Sequence, residues 1–167
     1  LNAITTSMKR QLLTALDRAE GTPGAYAIVL SGAGRAFCAG ADTAELRPEV
    51  TPGFAQAMAR VEMTQRIVNR LRVSPLIVVS AVNGVAAGGG VAFALGADVV
   101  CASNEARFNL VFGKRGLVPD AGLTEILTDS LGYRKALSMA LTCADLSAAE
   151  AHQMGLVDHL FAPDEFS

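Results

Sequence analysis

Two apolar segments in this chain each deliver a glycine-bearing loop, and each loop runs straight into another apolar stretch. The first is Ala27-Ile28-Val29-Leu30, leading to Ala36-Phe37-Cys38-Ala39-Gly40-Ala41-Asp42. The second is Leu76-Ile77-Val78-Val79, leading to Asn83-Gly84-Val85-Ala86-Ala87-Gly88-Gly89-Gly90. Strands that feed loops into helix starts call for a parallel sheet covered by helices, so the pattern confines the chain to the α/β class. Backbone turns at helix starts leave N–H donors without intrahelical acceptors. Two such turns side by side can offer both donors to one oxygen, which builds an oxyanion hole without side chains. Function then turns on which carboxylate faces that hole.

With 167 residues, 51% apolar and 18% charged, the chain has the make-up of one globular domain with a sizeable core. A net charge of −2, 5% aromatics and no Trp argue against nucleic acid or a membrane surface as partner. The longest uncharged apolar run, residues 76–95, is interrupted by Asn83, Gly84 and Gly88-Gly89-Gly90, so no membrane span is expected. No secretion signal is read at the start, and Cys38, Cys101 and Cys143 are odd in number and lack a C-x-x-C pair. Reduced thiols and a cytoplasmic location are therefore expected. With His152 and His159 as the only histidines, no metal site is expected either.

Met8, Leu12, Leu13, Leu16 and Ala19 recur at helical spacing and predict a helix over 5–20. Strands are predicted at 26–31, 76–82, 98–102, 106–111 and 156–161. Helices are predicted at 54–72, 89–95, 121–131 and 133–141, the last two broken at Gly132. Capping boxes are read at Asp42-Thr43-Ala44-Glu45 and at Ser147-Ala148-Ala149-Glu150. The polar, proline-bearing stretch 47–53 is the best loop candidate. No internal repeat is visible.

With both loops in hand, the chain resembles the crotonase family, the enoyl-CoA hydratases and isomerases. The resemblance rests on Leu1-Asn2-Ala3-Ile4, Arg35-Ala36-Phe37-Cys38-Ala39-Gly40-Ala41-Asp42, Ala81-Val82-Asn83-Gly84 and Gly88-Gly89-Gly90. It continues through Gly96-Ala97-Asp98, Ala106-Arg107-Phe108, Gly116-Leu117-Val118-Pro119-Asp120-Ala121-Gly122 and Gly155-Leu156-Val157, all in order and with family-like spacing. It implies a crotonase/ClpP-like spiral of ββα units and acyl-CoA thioester substrates, with coenzyme A part of the substrate and no separate cofactor. The backbone N–H groups of Ala41 and Gly89 would hold the thioester oxygen, and Ala39, Asp42, Gly88, Phe112 and Arg35 would line the substrate. Family members carry an N-terminal strand hairpin and C-terminal helices that assemble trimers or hexamers. Neither is found here, so residues 1–167 are expected to be a single core domain, incomplete at both ends.

The departures from the family pattern are chemical. Hydratases of the family carry one glutamate two residues after the glycine triplet, where this chain has Ala92. They carry another four residues before the glycine of Gly116-Leu117-Val118-Pro119, where it has Phe112. Neither Ala nor Phe can accept a proton. Asp120 stands instead at a position where several isomerase-type relatives use an aspartate as acid/base group.

Each candidate has a structural reading as well. Asp120 could cap a helix over 121–131, Asp42 could cap a helix with Glu45, and Asp98 could bind backbone at a strand start. Phe112 would wall the acyl chain or fill the core, and Arg35 would reach a CoA phosphate or solvent. An isomerase-type double-bond shift through Asp120 leads. A hydratase or other crotonase reaction, and a non-catalytic acyl-CoA binder, remain as alternatives.

Overall fold

The computed structural model describes residues 1–47, 49 and 53–166. Its helices are α1 (Thr6–Glu20), α2 (Phe54–Arg72), α3 (Gly89–Leu95), α4 (Leu123–Leu131), α5 (Tyr133–Thr142) and α6 (Ala148–Gln153). Its strands are β1 (Ala27–Ser31), β2 (Ala36–Cys38), β3 (Ile77–Val82), β4 (Val85–Ala87), β5 (Val99–Ser103), β6 (Arg107–Asn109), β7 (Asp145–Ser147) and β8 (His159–Phe161). Single 3-10 turns occupy Gly113–Arg115 and Pro163–Phe166.

The strands form two sheets, ordered β1-β3-β5-β8 and β2-β4-β6-β7. The first is parallel throughout; the second is parallel except for β7, which runs antiparallel to β6. Successive pairs of strands split between the two sheets, and a helix follows: β3 and β4 then α3, β5 and β6 then α4. That alternation is the spiral of ββα units.

Helix α3 sits at the centre, and all seven of its residues are buried. Small residues allow this. A methyl group on Gly90 would stand 2.4 Å from the Cys38 carbonyl oxygen, and one on Gly96 would stand 3.2 Å from Val68 Cγ1. Val78 and Val82 of β3, Ile67, Val68 and Leu71 of α2, and Leu123 and Leu127 of α4 complete this core. Apolar burial here is the main stabilising term.

Several boundaries differ from the sequence expectation for physical reasons. The strand predicted at 26–31 is an edge strand with alternating exposure, and Val29 is 67% exposed. An unbroken apolar run does not mark a strand as covered on both faces. No helix starts at Asp42. Residues 43–46 form turns, and the Asp42 carboxylate only closes one of them, accepting from the Ala44 N–H at 2.8 Å. Glu45 caps a different helix: its carboxylate accepts from the Thr6 N–H at 3.0 Å and the Thr6 hydroxyl at 2.9 Å, at the start of α1. The second capping box forms as expected between Ser147 and Glu150. Strands β2, β4 and β7, each three residues long, were too short to register as periodicity. The predicted loop at 47–53 lies partly outside the described residues.

Candidate active site

Strands β2 and β4 are parallel neighbours, with Ala36 opposite Val85 and Cys38 opposite Ala86. Both glycine loops therefore leave the same end of the same sheet. They touch through backbone alone: a methyl group on Gly40 would lie 2.6 Å from the Ala87 carbonyl oxygen and 3.6 Å from the Gly88 α-carbon. Gly40 also needs its left-handed φ of 83°. Only glycine meets both demands, so the loop contact is built on its missing side chain.

In each loop the flanking amides are engaged. Ala39 donates to the Leu1 carbonyl at 3.0 Å and Asp42 to the Ile4 carbonyl at 3.3 Å. Burial pushes the Cys38 thiol pKa up, and the neighbouring Gly40 amide works against that rise. Gly88 donates to the Asn109 carbonyl at 2.9 Å and Val91 to the Gly88 carbonyl at 2.9 Å. Among the described residues, Ala41 and Gly89 have amides with no such acceptor.

Two asparagines secure the first loop. Asn2 Nδ2 donates to the carbonyls of Ala33, Ala36 and Phe37 at 3.0, 2.8 and 3.1 Å. Asn83 accepts from the Gly32 N–H at 3.2 Å and donates to the carbonyls of Gly32 and Gly34 at 2.9 and 2.7 Å. Both stood out only as members of the motif; the side-chain latch they form depends on residues more than thirty positions away.

Asp120 precedes α4 in a turn where Ala121 and Gly122 both take left-handed φ, 52° and 76°. It is not the helix cap. The residue at the α4 N-terminus is Gly122, without a side-chain cap, and the Leu123 N–H reaches the Asp120 carbonyl at 2.9 Å. The carboxylate is left for other chemistry. Burial raises its pKa, while its own backbone N–H and the positive charge of Lys9 oppose the rise.

Helix α2 connects this turn to the glycine loops. A methyl group on Gly122 would meet Gln65 Nε2 at 3.2 Å, and one on Gly89 would meet Thr64 Cγ2 at 3.9 Å and Ile4 Cδ1 at 3.0 Å. Thr64 and Gln65 are adjacent on one helix turn. The remaining candidates separate. Phe112 is buried in the core cluster, as is Ala92. Arg35 is exposed in the loop before β2, and Asp42 is engaged in its local turn. Val111, which sequence reasoning passed over, approaches the second loop, with Cγ1 3.6 Å from the point a Gly88 methyl would occupy. A groove of about 360 Å³ runs along α2 past Val61, Gln65 and Asn69, and contains none of Ala41, Gly89 or Asp120. Among the described residues no cluster of metal-ligating side chains occurs, and no helix is long and apolar enough to cross a membrane. The three cysteines are unpaired.

A ββα spiral with two abutting glycine turns at one sheet end defines the crotonase class of fold. The Enoyl-CoA hydratase/isomerase family description matches residues 1–167, and the chain belongs to that family. It is 41% identical over 157 residues to a protein of Rhodobacter capsulatus named a probable enoyl-CoA hydratase, covering 94% of this chain and 59% of that protein. It is 39% identical over 158 residues to 1,2-epoxyphenylacetyl-CoA isomerase of Escherichia coli, covering 94% of this chain and 60% of that one. The crystal structure of enoyl-CoA hydratase from Bacillus anthracis superposes with a TM-score of 0.91 at 28% identity, covering 98% of this chain and 63% of that chain. The chain thus spans about 60% of the length of the curated relatives it matches.

Proposed function

We propose that the protein processes acyl-CoA thioesters through an enolate, and that its reaction is an enoyl-CoA isomerase-type shift of a double bond. The observation that carries this reading is the backbone contact of Gly40 with Ala87 and Gly88, which joins two turns whose Ala41 and Gly89 amides lack acceptors. Those amides hold the thioester oxygen. Asp120 removes a proton from the carbon next to the thioester, the negative charge moves onto the oxygen, and the same carboxyl returns the proton two carbons further along. A carboxylate lifted by burial is suited to both pick-up and return. One such group suffices for a 1,3-shift, whereas two-glutamate hydration has no carboxylate at Ala92 or Phe112.

Coenzyme A enters with the substrate, Arg35 offers its exposed guanidinium to a CoA phosphate, and no further cofactor takes part. A homotrimer or hexamer belongs to the same reading. Phe54 at 81% and Val73 at 74% exposure, at the two ends of α2, offer apolar surface for a second subunit to cover. The unpaired cysteines fit a reducing, cytoplasmic setting.

Hydration is the second reading, favoured by the Rhodobacter relative's name. Incubating the protein with a panel of enoyl-CoA thioesters, while following double-bond migration and water addition separately, tests both. Migration without hydration is expected. Hydration faster than migration would overturn the isomerase reading, and binding without either reaction would leave an acyl-CoA binder.

A further inference from the structure

Ile4 lies just before the cap of α1, is only 2% exposed, and touches both glycine turns by different means. Its backbone makes an isolated parallel bridge to Ala41. The Ile4 N–H donates to the Gly40 carbonyl at 2.8 Å, and the Ile4 carbonyl accepts from the Asp42 N–H at 3.3 Å. Successive amides of an extended segment point to opposite sides, so bonding residues 40 and 42 to Ile4 turns the Ala41 N–H away from it. This accounts for the Ala41 amide having no internal acceptor among the described residues. The Ile4 side chain runs to the other turn, where its Cδ1 lies 3.0 Å from the point a Gly89 methyl would occupy. One residue thus spans from the first candidate donor to the second.

We propose that Ile4 is a positioning residue that sets the separation of the Ala41 and Gly89 amides, its backbone fixing the first and its side chain bracing the second. The inference rests on the reading of those amides as the hold on the thioester oxygen. Two donors stabilise one oxyanion only when both reach it at hydrogen-bond distance, and donors held in place beforehand need no reorganisation as charge develops. Gly40 already pins the turns together by its backbone contact with Ala87 and Gly88. Ile4 pins them again at the next residue of each turn, 41 and 89. Thr64 Cγ2, 3.9 Å from the same point beside Gly89, supports that turn from α2. The brace is one methyl group thick. Valine lacks Cδ1, so it would keep the backbone bridge to Ala41 while withdrawing the contact with Gly89.

Ile4→Val removes this contact, and Ile67→Val removes the same group from the fully buried core of α2. In the full chain, kcat should fall about 10-fold in Ile4→Val with KM nearly unchanged, short of the roughly 100- to 1,000-fold loss of a whole donor. Ile67→Val should turn over at the native rate. Hexanoyl-CoA, isotope-labelled at its thioester carbonyl, has no double bond to move and reports on the two amides directly. Its carbonyl stretch should drop in frequency on binding the native protein and return part-way towards the solution value in Ile4→Val, but not in Ile67→Val. A merely structural role would lower the stability of both variants and leave the stretch in place, so a native stretch in Ile4→Val overturns the proposal. A further readout needs no variant: an NOE should join the Ile4 δ1 methyl to the Gly89 α-protons in the native protein, and its absence overturns the proposal. Native protein that bound hexanoyl-CoA without any shift of the stretch would instead refute the hold on the thioester oxygen, so the two failures are distinguishable.

Discussion

The α-carbon of Gly90 faces Cys38 so closely that a methyl group there would stand 2.4 Å from the Cys38 carbonyl oxygen, 2.8 Å from its Cβ and 3.0 Å from its sulfur. Backbone cannot move aside cheaply inside a packed core. Gly90→Ala should therefore destabilise the protein by about 1–3 kcal/mol. It should also push α3 away from β2 and weaken acyl-CoA binding. Thermal unfolding together with calorimetric titration of an acyl-CoA checks this; native stability and affinity together would refute the close packing.

Asp120→Asn preserves size and leaves the backbone donors untouched. Turnover should fall by a factor on the order of 100 or more, as for loss of a general base, while acyl-CoA still binds. Steady-state rates and a binding titration on the same preparation give both quantities.

The same substitution has a signed effect on stability. Burial raises the Asp120 pKa in the fold, so the protonated form is favoured there and stability is lost as pH rises through the folded pKa. Asp120→Asn should unfold at a higher temperature than the native protein at neutral pH, with the gap closing as pH falls. A gap that widened in acid would contradict the assignment.

Glu45 behaves in the opposite sense. Burial pushes its carboxyl up, but hydrogen bonds from the Thr6 N–H and hydroxyl, with the charges of Arg60 and Lys9, outweigh that and hold it down. Its contribution is present above the unfolded pKa and is lost as pH falls through the folded one. Glu45→Ala should cost about 1 kcal/mol at neutral pH, as for a lost helix cap, and less in acid. Denaturant unfolding at several pH values measures the trend.

Asn83→Ala would leave the Gly32 N–H and the carbonyls of Gly32 and Gly34 without their present partner. A loss of about 0.5–1.5 kcal/mol is expected, as for a typical net hydrogen-bond contribution at part-buried and exposed backbone, with faster amide exchange over residues 32–37. Exchange measured by NMR or mass spectrometry would reveal whether the loop is released.

Much of the architecture was legible because its signals are local. Periodicity in α1 and α2, breakers at Gly132, and apolar runs at β1 and β3 each report their own segment. The two glycine loops were also readable, because only glycine serves where one backbone abuts another. What escaped depends on distance. Glu45 lies three residues from Asp42 and reads as its capping partner, yet the amide it satisfies belongs to Thr6, thirty-nine positions away. Lys9 is buried by its contact with the Arg60 carbonyl of α2, fifty-one positions away. Asp120 reads as a helix cap from its own neighbours and as a base from its family position, and the start of α4 at Leu123 frees its carboxylate from the capping role.

One further feature repeats in space without repeating in sequence. Just before β5, the Asp98 carboxylate accepts from the Val78 N–H at 2.8 Å while the Asp98 N–H donates to the Val78 carbonyl at 2.9 Å. Just before β8, Asp158 makes the same pair of bonds to Val100, at 2.7 and 2.8 Å. Each incoming strand is thus clasped to its predecessor by one aspartate at the point where its ladder begins. A slip of one residue would turn every side chain of that strand to the opposite face. Alignment is therefore inherited from strand to strand, β3 to β5 to β8, with a single carboxylate as the indexing tooth at each step.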